Sequence, residues 1–390
     1  MSESPNKHMK LTANLSENLL EHIVSLYLPI QSVLTNRSVS RRFREAEIRS
    51  RNLDFSGIYS VRRKQSDVVR AVEDVFNEHK GSEINRFVLI LNHIGVEDKI
   101  VSWIKTCLDK NIQEFVLDFS KSKKTIEIPI DFSAVETLTA LTLRWCKFHI
   151  PENSPKGLKL LRTLSLMKTE IKQEMIDAIV ENCIYLATLE LKQCLMRGIL
   201  SINAHNHKKF KSISVCSMPK LLGIILDAPT LECYTYEGYV KVFDFSRVVA
   251  LKEANLHYNR RFNWRYDASD MVRANMGAHV GVRVFATTNI FLEIKNFTFD
   301  PGFLWEFHYQ QDLQNYDNKC FKSIKEVKIN GYKGDKHELI IVAFFVWKAQ
   351  SLKKLELVIS KKAKEQAQGS DYGNINDIKR LYPNVIVTEY

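Results

Sequence analysis

The side chains with the most chemical potential in this 390-residue chain are Cys194, His205, His207 and Cys216. Thiolate and imidazole are the usual zinc ligands, and a zinc site gathers them from closely spaced pairs such as Cys-x-x-Cys or His-x-x-x-His. The order Cys194, His205, Asn206, His207, Cys216 matches no such set. The seven cysteines (Cys107, Cys146, Cys183, Cys194, Cys216, Cys233 and Cys320) contain no Cys-x-x-Cys pair. A scattered, odd set suits buried thiols in a reducing compartment. The sequence holds no Gly-x-x-x-x-Gly-Lys-Ser/Thr loop and no Gly-x-Ser-x-Gly elbow. No pair of carboxylates stands out from the general charge. These residues predict a non-catalytic protein with no metal site and no cofactor.

Recognition is the other chemistry on offer. From His257 to Tyr266 the chain reads His-Tyr-Asn-Arg-Arg-Phe-Asn-Trp-Arg-Tyr. Arg and aromatic side chains dominate binding hot spots, and they also stack on unpaired bases. Arg260, Arg261, Trp264, Arg265 and Tyr266 are the candidate target-binding residues. A second aromatic cluster follows at Phe303, Trp305, Phe307 and Tyr309. Three uses fit such residues: filling a distorted core, contacting a protein, or holding nucleic acid. The formal charge is +11, and nine Lys/Arg crowd between Arg37 and Lys64 against Glu45, Glu47 and Asp54. A positive surface speeds association with acidic partners. Basicity alone does not establish nucleic-acid binding.

The elements that must position these residues repeat. Apolar, two residues, apolar, one residue, apolar recurs at Leu138-Leu141-Leu143, Leu161-Leu164-Leu166, Leu186-Leu189-Leu191, Phe210-Ile213-Val215, Leu231-Tyr234-Tyr236 and Leu251-Ala254-Leu256. The middle positions advance by 23, 25, 24, 21 and 20 residues. Weaker copies lie at Ile84-Phe87-Leu89, Ile112-Phe115-Leu117, Ile324-Val327-Ile329 and Leu352-Leu355-Leu357. A period of about 20–29 residues with this pattern is the leucine-rich-repeat signature. Alternating apolar residues make a short strand with one buried face. Cys146, Thr169 and Cys194 stand three beyond the last apolar residue, where the chain bends inward and a small hydrogen-bonding group helps to satisfy turn amides. Val96, Ile100, Val101, Ile104 and Leu108 form one helical apolar face. Ile171, Met175, Ile176, Ile179 and Val180 form another. The predicted fold class is α/β: parallel strands stacked into a curved sheet, with helices outside.

The N-terminal stretch has a different pattern. Leu15, Leu19, Leu20 and Ile23 recur at helical spacing, with Asn14 or Ser16 as cap. Leu28-Pro29 ends that helix. Val33, Leu34, Val39 and Phe43 lie on a second helical stretch. So few short helices cannot bury all of this alone, so part of the apolar face is open to a partner. In order, Leu15-Ser16-Glu17-Asn18-Leu19-Leu20, Ile23, Leu28-Pro29 and Ser40-Arg41-Arg42-Phe43-Arg44 resemble a plant F-box. Ser16 stands where that family has Pro, and Phe43 where it has Trp. Asn182 to Leu191 resembles the Cys-Pro-x-Leu-Glu-x-Leu-x-Leu unit of plant F-box/leucine-rich-repeat proteins. Asp227 to Gly238 is similar to their Ala-Pro-x-Leu segment. Phe321 to Val358 resembles their C-terminal FBD region.

The resemblance implies a helical F-box at 11–55 after a disordered 1–10, a helical linker or cap at 56–82, leucine-rich repeats at 83–319 with an irregular insert at 257–319, and FBD-like repeats at 320–390. It implies that Leu15, Leu19, Leu20, Ile23, Leu28, Pro29, Val33, Val39 and Phe43 dock on a Skp-family linker, and through it on a cullin scaffold. The repeats would then hold a protein target for ubiquitination. A repeat scaffold outside any ligase, and a nucleic-acid-binding repeat protein, are the rival readings. No apolar run reaches the roughly 18 residues of a membrane span, and Met1 to Lys10 lacks a secretory signal's apolar segment. The expectation is an intracellular protein of nucleus or cytoplasm, without a membrane partner.

Overall fold

The computed structural model describes residues 19, 48–57, 64–127, 135–147, 156–238, 242–245, 247–258, 284–288, 324–332, 342, 345–346, 349, 351–359, 379–380, 382–383 and 385–389. They fall into two compact units, Met1–Leu186 and Ala187–Tyr390.

In the first unit five parallel strands make a sheet in the order β1 (Asn52–Asp54), β2 (Arg86–Ile90), β3 (Glu114–Asp118), β5 (Ala140–Arg144) and β7 (Thr163–Met167). Two further strands, β4 (Ile126–Glu127) and β6 (Cys146–Lys147), pair with each other. Register follows the apolar triplets. Leu53 stands opposite Phe87, Phe87 opposite Phe115, Phe115 opposite Leu141, and Leu141 opposite Leu164. All five are fully buried. Because one face of a strand recurs every second residue, an apolar triplet in each repeat aligns every strand with its neighbour. The Phe55, Phe87 and Phe115 rings follow one another at 5.9 and 5.4 Å between centroids.

Helices α1 (Gln65–Glu78), α2 (Glu97–Asp109) and α3 (Gln173–Asn182) return the chain after β1, β2 and β7. Helix α1 buries Val68, Val69, Val72 and Val75. On α2 the buried stripe is Ile100, Trp103, Ile104 and Cys107, the i, i+3, i+4, i+7 pattern. Val101 and Leu108, expected on that face, are only half-buried. Trp103 lies on the buried face in their stead and stacks on Phe76 of α1, 6.3 Å between ring centroids. Strand β1 lies inside the 11–55 segment and pairs with β2, so the sheet starts ahead of residue 83.

The second unit has eight parallel strands in the order β8 (Thr188–Lys192), β10 (Ser212–Cys216), β12 (Cys233–Gly238), β14 (Glu253–Tyr258), β15 (Val284–Thr288), β16 (Glu326–Tyr332), β17 (Lys354–Ile359) and β18 (Val385–Glu389). Strand β15 falls within 257–319, where the repeat pattern is lost from the sequence. Its Phe285 stands opposite Ala254 on one side and Val327 on the other, so the register runs on through that interval.

The outer layer here differs from the expected helices. Strands β9 (Gly198–Asn203), β11 (Leu221–Asp227) and β13 (Val242–Asp244) form a second parallel sheet. Tyr234 and Tyr236 of β12 pack edge-on against Phe243, at 6.1 and 4.9 Å between centroids. A strand advances about 3.3 Å per residue and a helix about 1.5 Å, so a strand spans the return with fewer residues. The repeats that advance by 24, 21 and 20 residues return the chain with a strand and the advance of 25 returns it with α3, while the advance of 23 returns through a 3-10 helix at Lys156–Leu160, so repeat length alone does not decide between them. The fold is α/β, a leucine-rich-repeat solenoid. No described helix is long and apolar enough to cross a membrane.

Candidate functional site

The open faces of the two strand ladders, with the turns at their ends, are the surfaces this architecture offers. Each strand directs its triplet inward and the residues between them outward. The turn that follows is built the same way in successive repeats. Trp145, Lys168, Gln193 and Ser217 each come directly after a strand with φ between 53° and 61°. This left-handed step turns the next residue inward, and Cys146, Thr169, Cys194 and Met218 are all buried. The Trp145 amide donates to Met167 O at 2.8 Å and the Gln193 amide to Cys216 O at 2.7 Å, which ties each turn to the next strand. The inward thiols of Cys146 and Cys194 donate to the carbonyls of Arg144 and Lys192, at 3.6 and 3.5 Å.

The first unit's face carries ion pairs between facing strands. Arg86 holds Glu114 at 2.7 Å and Asp54 at 3.6 Å. Arg144 holds the buried Asp118 at 3.2 Å. Lys168 sits over the Trp145 ring, 5.4 Å from its centroid.

The second unit's face is small and polar in its middle, with Ser212, Ser214 and Cys216 on β10 beside Cys233 and Thr235 on β12. Burial chiefly pushes the Cys216 and Cys233 thiols up. Burial also holds His257 below the ordinary histidine range, against the pull of Glu237. Cys216 pairs across with Glu237, and Glu237 with His257, so a strand separates thiol from imidazole. A protonated thiol beside a carboxylate and with no imidazole next to it is a poor nucleophile. This face can form hydrogen bonds and ion pairs with an extended partner.

Acidic groups on this unit are clamped by cations. Glu232 is held by Lys211 at 2.7 Å and by Lys252, and these bonds hold its carboxyl down at about 2. Arg247 at 2.7 Å and His205 at 3.0 Å hold Asp227 below the usual range. His205 is therefore engaged by a carboxylate. Among the described residues no group of three or more His, Cys, Asp or Glu side chains is placed to hold a metal ion.

Of the linker-docking residues, Leu19 alone is described. It is helical and 45% exposed, as Leu160 is. Leu15, Leu20, Ile23, Leu28, Pro29, Val33, Val39 and Phe43 lie outside the described residues, as do Arg260, Arg261, Trp264, Arg265 and Tyr266. The charged ladder of the second unit was missed in the sequence. Its signal is the residue just ahead of each strand, seen only when the repeats are aligned: Lys211, Glu232, Lys252, Lys325 and Lys353.

Comparison with known proteins bears on the whole chain. The family model described as "FBD-associated F-box protein At5g56370, LRR repeats" matches residues 100–251. The FBD-associated F-box protein At1g61320 of Arabidopsis thaliana is 50% identical, over 100% of this chain and 97% of its own. The putative FBD-associated F-box protein At1g61330 of the same plant is 49% identical over 100% of both. This chain belongs to the FBD-associated F-box proteins. Such F-box/leucine-rich-repeat relatives extend to the F-box/FBD/LRR-repeat protein At1g13570 of Arabidopsis thaliana, 27% identical over 41% of this chain and 39% of its own. In this FBD-associated F-box protein the matched repeats begin within α2 and end at Leu251, ahead of β14. The two full-length alignments run to 448 and 449 positions, so both relatives carry segments that this F-box protein lacks.

Proposed function

We propose that the chain is the substrate-recognition subunit of an SCF-type ubiquitin ligase, docking on a Skp-family linker and a cullin scaffold. One observation carries the reading. Family membership spans the whole chain, including the 15–43 segment in which the F-box pattern lies. The subunit acts without a covalent step of its own. Holding a target beside a ubiquitin-charged enzyme raises the effective concentration of target lysines. Nucleus and cytoplasm are the compartments in which such a subunit would work. Arg260, Arg261, Trp264, Arg265 and Tyr266 are proposed as target anchors on composition alone.

Replacing Leu19 and Ile23 together with Gln tests the docking. The full chain should co-purify with a Skp-family linker, and the double variant should lose it while keeping its thermal melt. Unchanged capture by the variant overturns the assignment. Failure of the wild type to capture the linker favours a repeat scaffold outside the ligase, a reading to which Ser16 and Phe43 point.

A further inference from the structure

Among its described residues the second unit carries a basic edge that the ion pairs there do not use up. Strands β10, β12 and β14 start from one register position, and so do β16 and β17 on the far side of β15. The Glu232 amide donates to Lys211 O at 2.9 Å, the Lys252 amide to Glu232 O at 2.8 Å, and the Lys353 amide to Lys325 O at 2.7 Å. These hydrogen bonds stack Lys211, Glu232 and Lys252 ahead of β10, β12 and β14, and Lys325 and Lys353 ahead of β16 and β17. Lys208 and Lys209 extend the edge in the loop that leads into β10. Thr230 of the next repeat pins this loop by donating to His207 O at 2.8 Å and Phe210 O at 2.9 Å. All six lysines are exposed.

The chain itself shows how a carboxylate fits here. Glu232 sits between Lys211 and Lys252, bonded to both. Lys325 and Lys353 occupy the same register ahead of β16 and β17, and among the described residues no carboxylate lies between them. Neighbouring strands lie about 4.8 Å apart, and like charges directly opposite repel. An incoming anion relieves that repulsion. The nearby acids offset only part of the charge: Glu232 is already shared, Glu253 accepts from Asn255 at 2.7 Å, and Glu326 stands beside Lys325.

We infer that this strand-start edge, from Lys208 to Lys353, receives an acidic segment of the protein target, whose carboxylates seat between lysines of neighbouring strands. This deepens the substrate-receptor reading and rests on it for the word target. A peptide is the better fit than nucleic acid because the template on the chain is a carboxylate, and no aromatic side chain of the described edge offers a base a stacking platform.

The test uses the full chain and fluorescein-labelled decaglutamate, followed by anisotropy. Lys208, Lys209, Lys325 and Lys353 are all reversed to Glu in one variant. A charge-matched control reverses the exposed Lys105, Lys159, Lys172 and Lys220. The edge variant should bind at least about tenfold more weakly, the control within about twofold, and wild-type binding should fall as salt rises. Equal losses in both variants would assign the effect to net charge and overturn the inference. So would an unchanged edge variant, or tighter binding of an oligo-uridylate of ten nucleotides than of the peptide. If the fourfold variant unfolds, Lys325→Glu with Lys353→Glu alone should still cost about threefold, and no loss there is equally fatal. Linker co-purification, measured on the same samples, keeps the two readings apart. Peptide loss with linker retained supports the edge, whereas linker absent from the wild type bears on the ligase reading alone.

Discussion

The Lys110 ammonium lies 2.8 Å from Nδ1 of His79. That fixes the tautomer, since an ammonium only donates: Nδ1 accepts, and Nε2–H donates to Ser50 O at 2.9 Å. Lys110 also donates to Gly81 O at 2.9 Å. One cluster thus ties the end of α1, the end of α2 and the chain ahead of β1. A Cβ at Gly81 would stand 2.8 Å from His79 Cε1, so a side chain there would push the ring off its partners.

This geometry makes stability depend on pH. Burial chiefly, with the Lys110 charge adding and the Ser50 bond opposing, holds His79 below its ordinary 6.5. The unfolded chain takes up the proton before the folded one does. The contribution is therefore full above about pH 6.5 and is lost as pH falls below it. Melting temperature should drop between about pH 7.5 and about pH 5.5, more steeply in the wild type than in His79→Gln. Parallel curves would show that the ring does not control the transition.

Leu189 is fully buried and stands opposite Ile213. Leu189→Ala should cost about 2–5 kcal/mol, the range for a truncated core leucine. Urea unfolding measures it. A loss below about 0.5 kcal/mol, the scale of surface sites, would place Leu189 on the wrong face.

Gln193 holds φ at 53° between β8 and the inward Cys194. Gln193→Gly should be neutral or stabilising, because glycine takes this conformation at no steric cost. Gln193→Val should destabilise by about 1–2 kcal/mol, because the left-handed region crowds Cβ against the next carbonyl. Paired thermal melts decide it, and equal effects would argue against a left-handed turn.

Cys107, Cys146, Cys183 and Cys194 are buried, whereas Cys216 and Cys233 are half-buried on the open face. Burial pushes the thiols of Cys107 and Cys146 up, and that of Cys183 up to about 12. Iodoacetamide at neutral pH should leave these four unmodified in the folded protein and label Cys216 and Cys233 slowly. In urea all six should react. Native labelling of Cys146 as fast as Cys216, read by peptide mass spectrometry, would contradict the inward turn.

The candidate site was less legible than the fold. The Lys211–Glu232–Lys252 clamp joins residues roughly one repeat apart, and nothing local to Glu232 marks it. Only the stacking of strands makes them neighbours. The thiol turn is a similar case. Its small inward residue can be read at Cys146 and Cys194, but the left-handed step at Trp145 cannot, because tryptophan is not a residue that seeks it.

By itself the sequence determined the family and, wherever an apolar triplet stands, the ladder strands and their register; it did not mark β1, β15 or β18. Burial of one strand face imposes a period of two within each strand and an apolar triplet in each repeat, and both survive in one dimension at Leu141, Leu164 and Leu189. The F-box resemblance likewise rests on residue order alone. Only the tertiary structure decided the outer layer, the turn and the charged edge. Whether a return path is helix or strand depends on its neighbours in the adjacent repeats, as where β11 pairs with β9 and β13. Whether Lys211 and Lys252, two repeats apart, share Glu232 depends on which strands lie side by side. Both are properties of the packed chain, and no stretch of residues carries them alone.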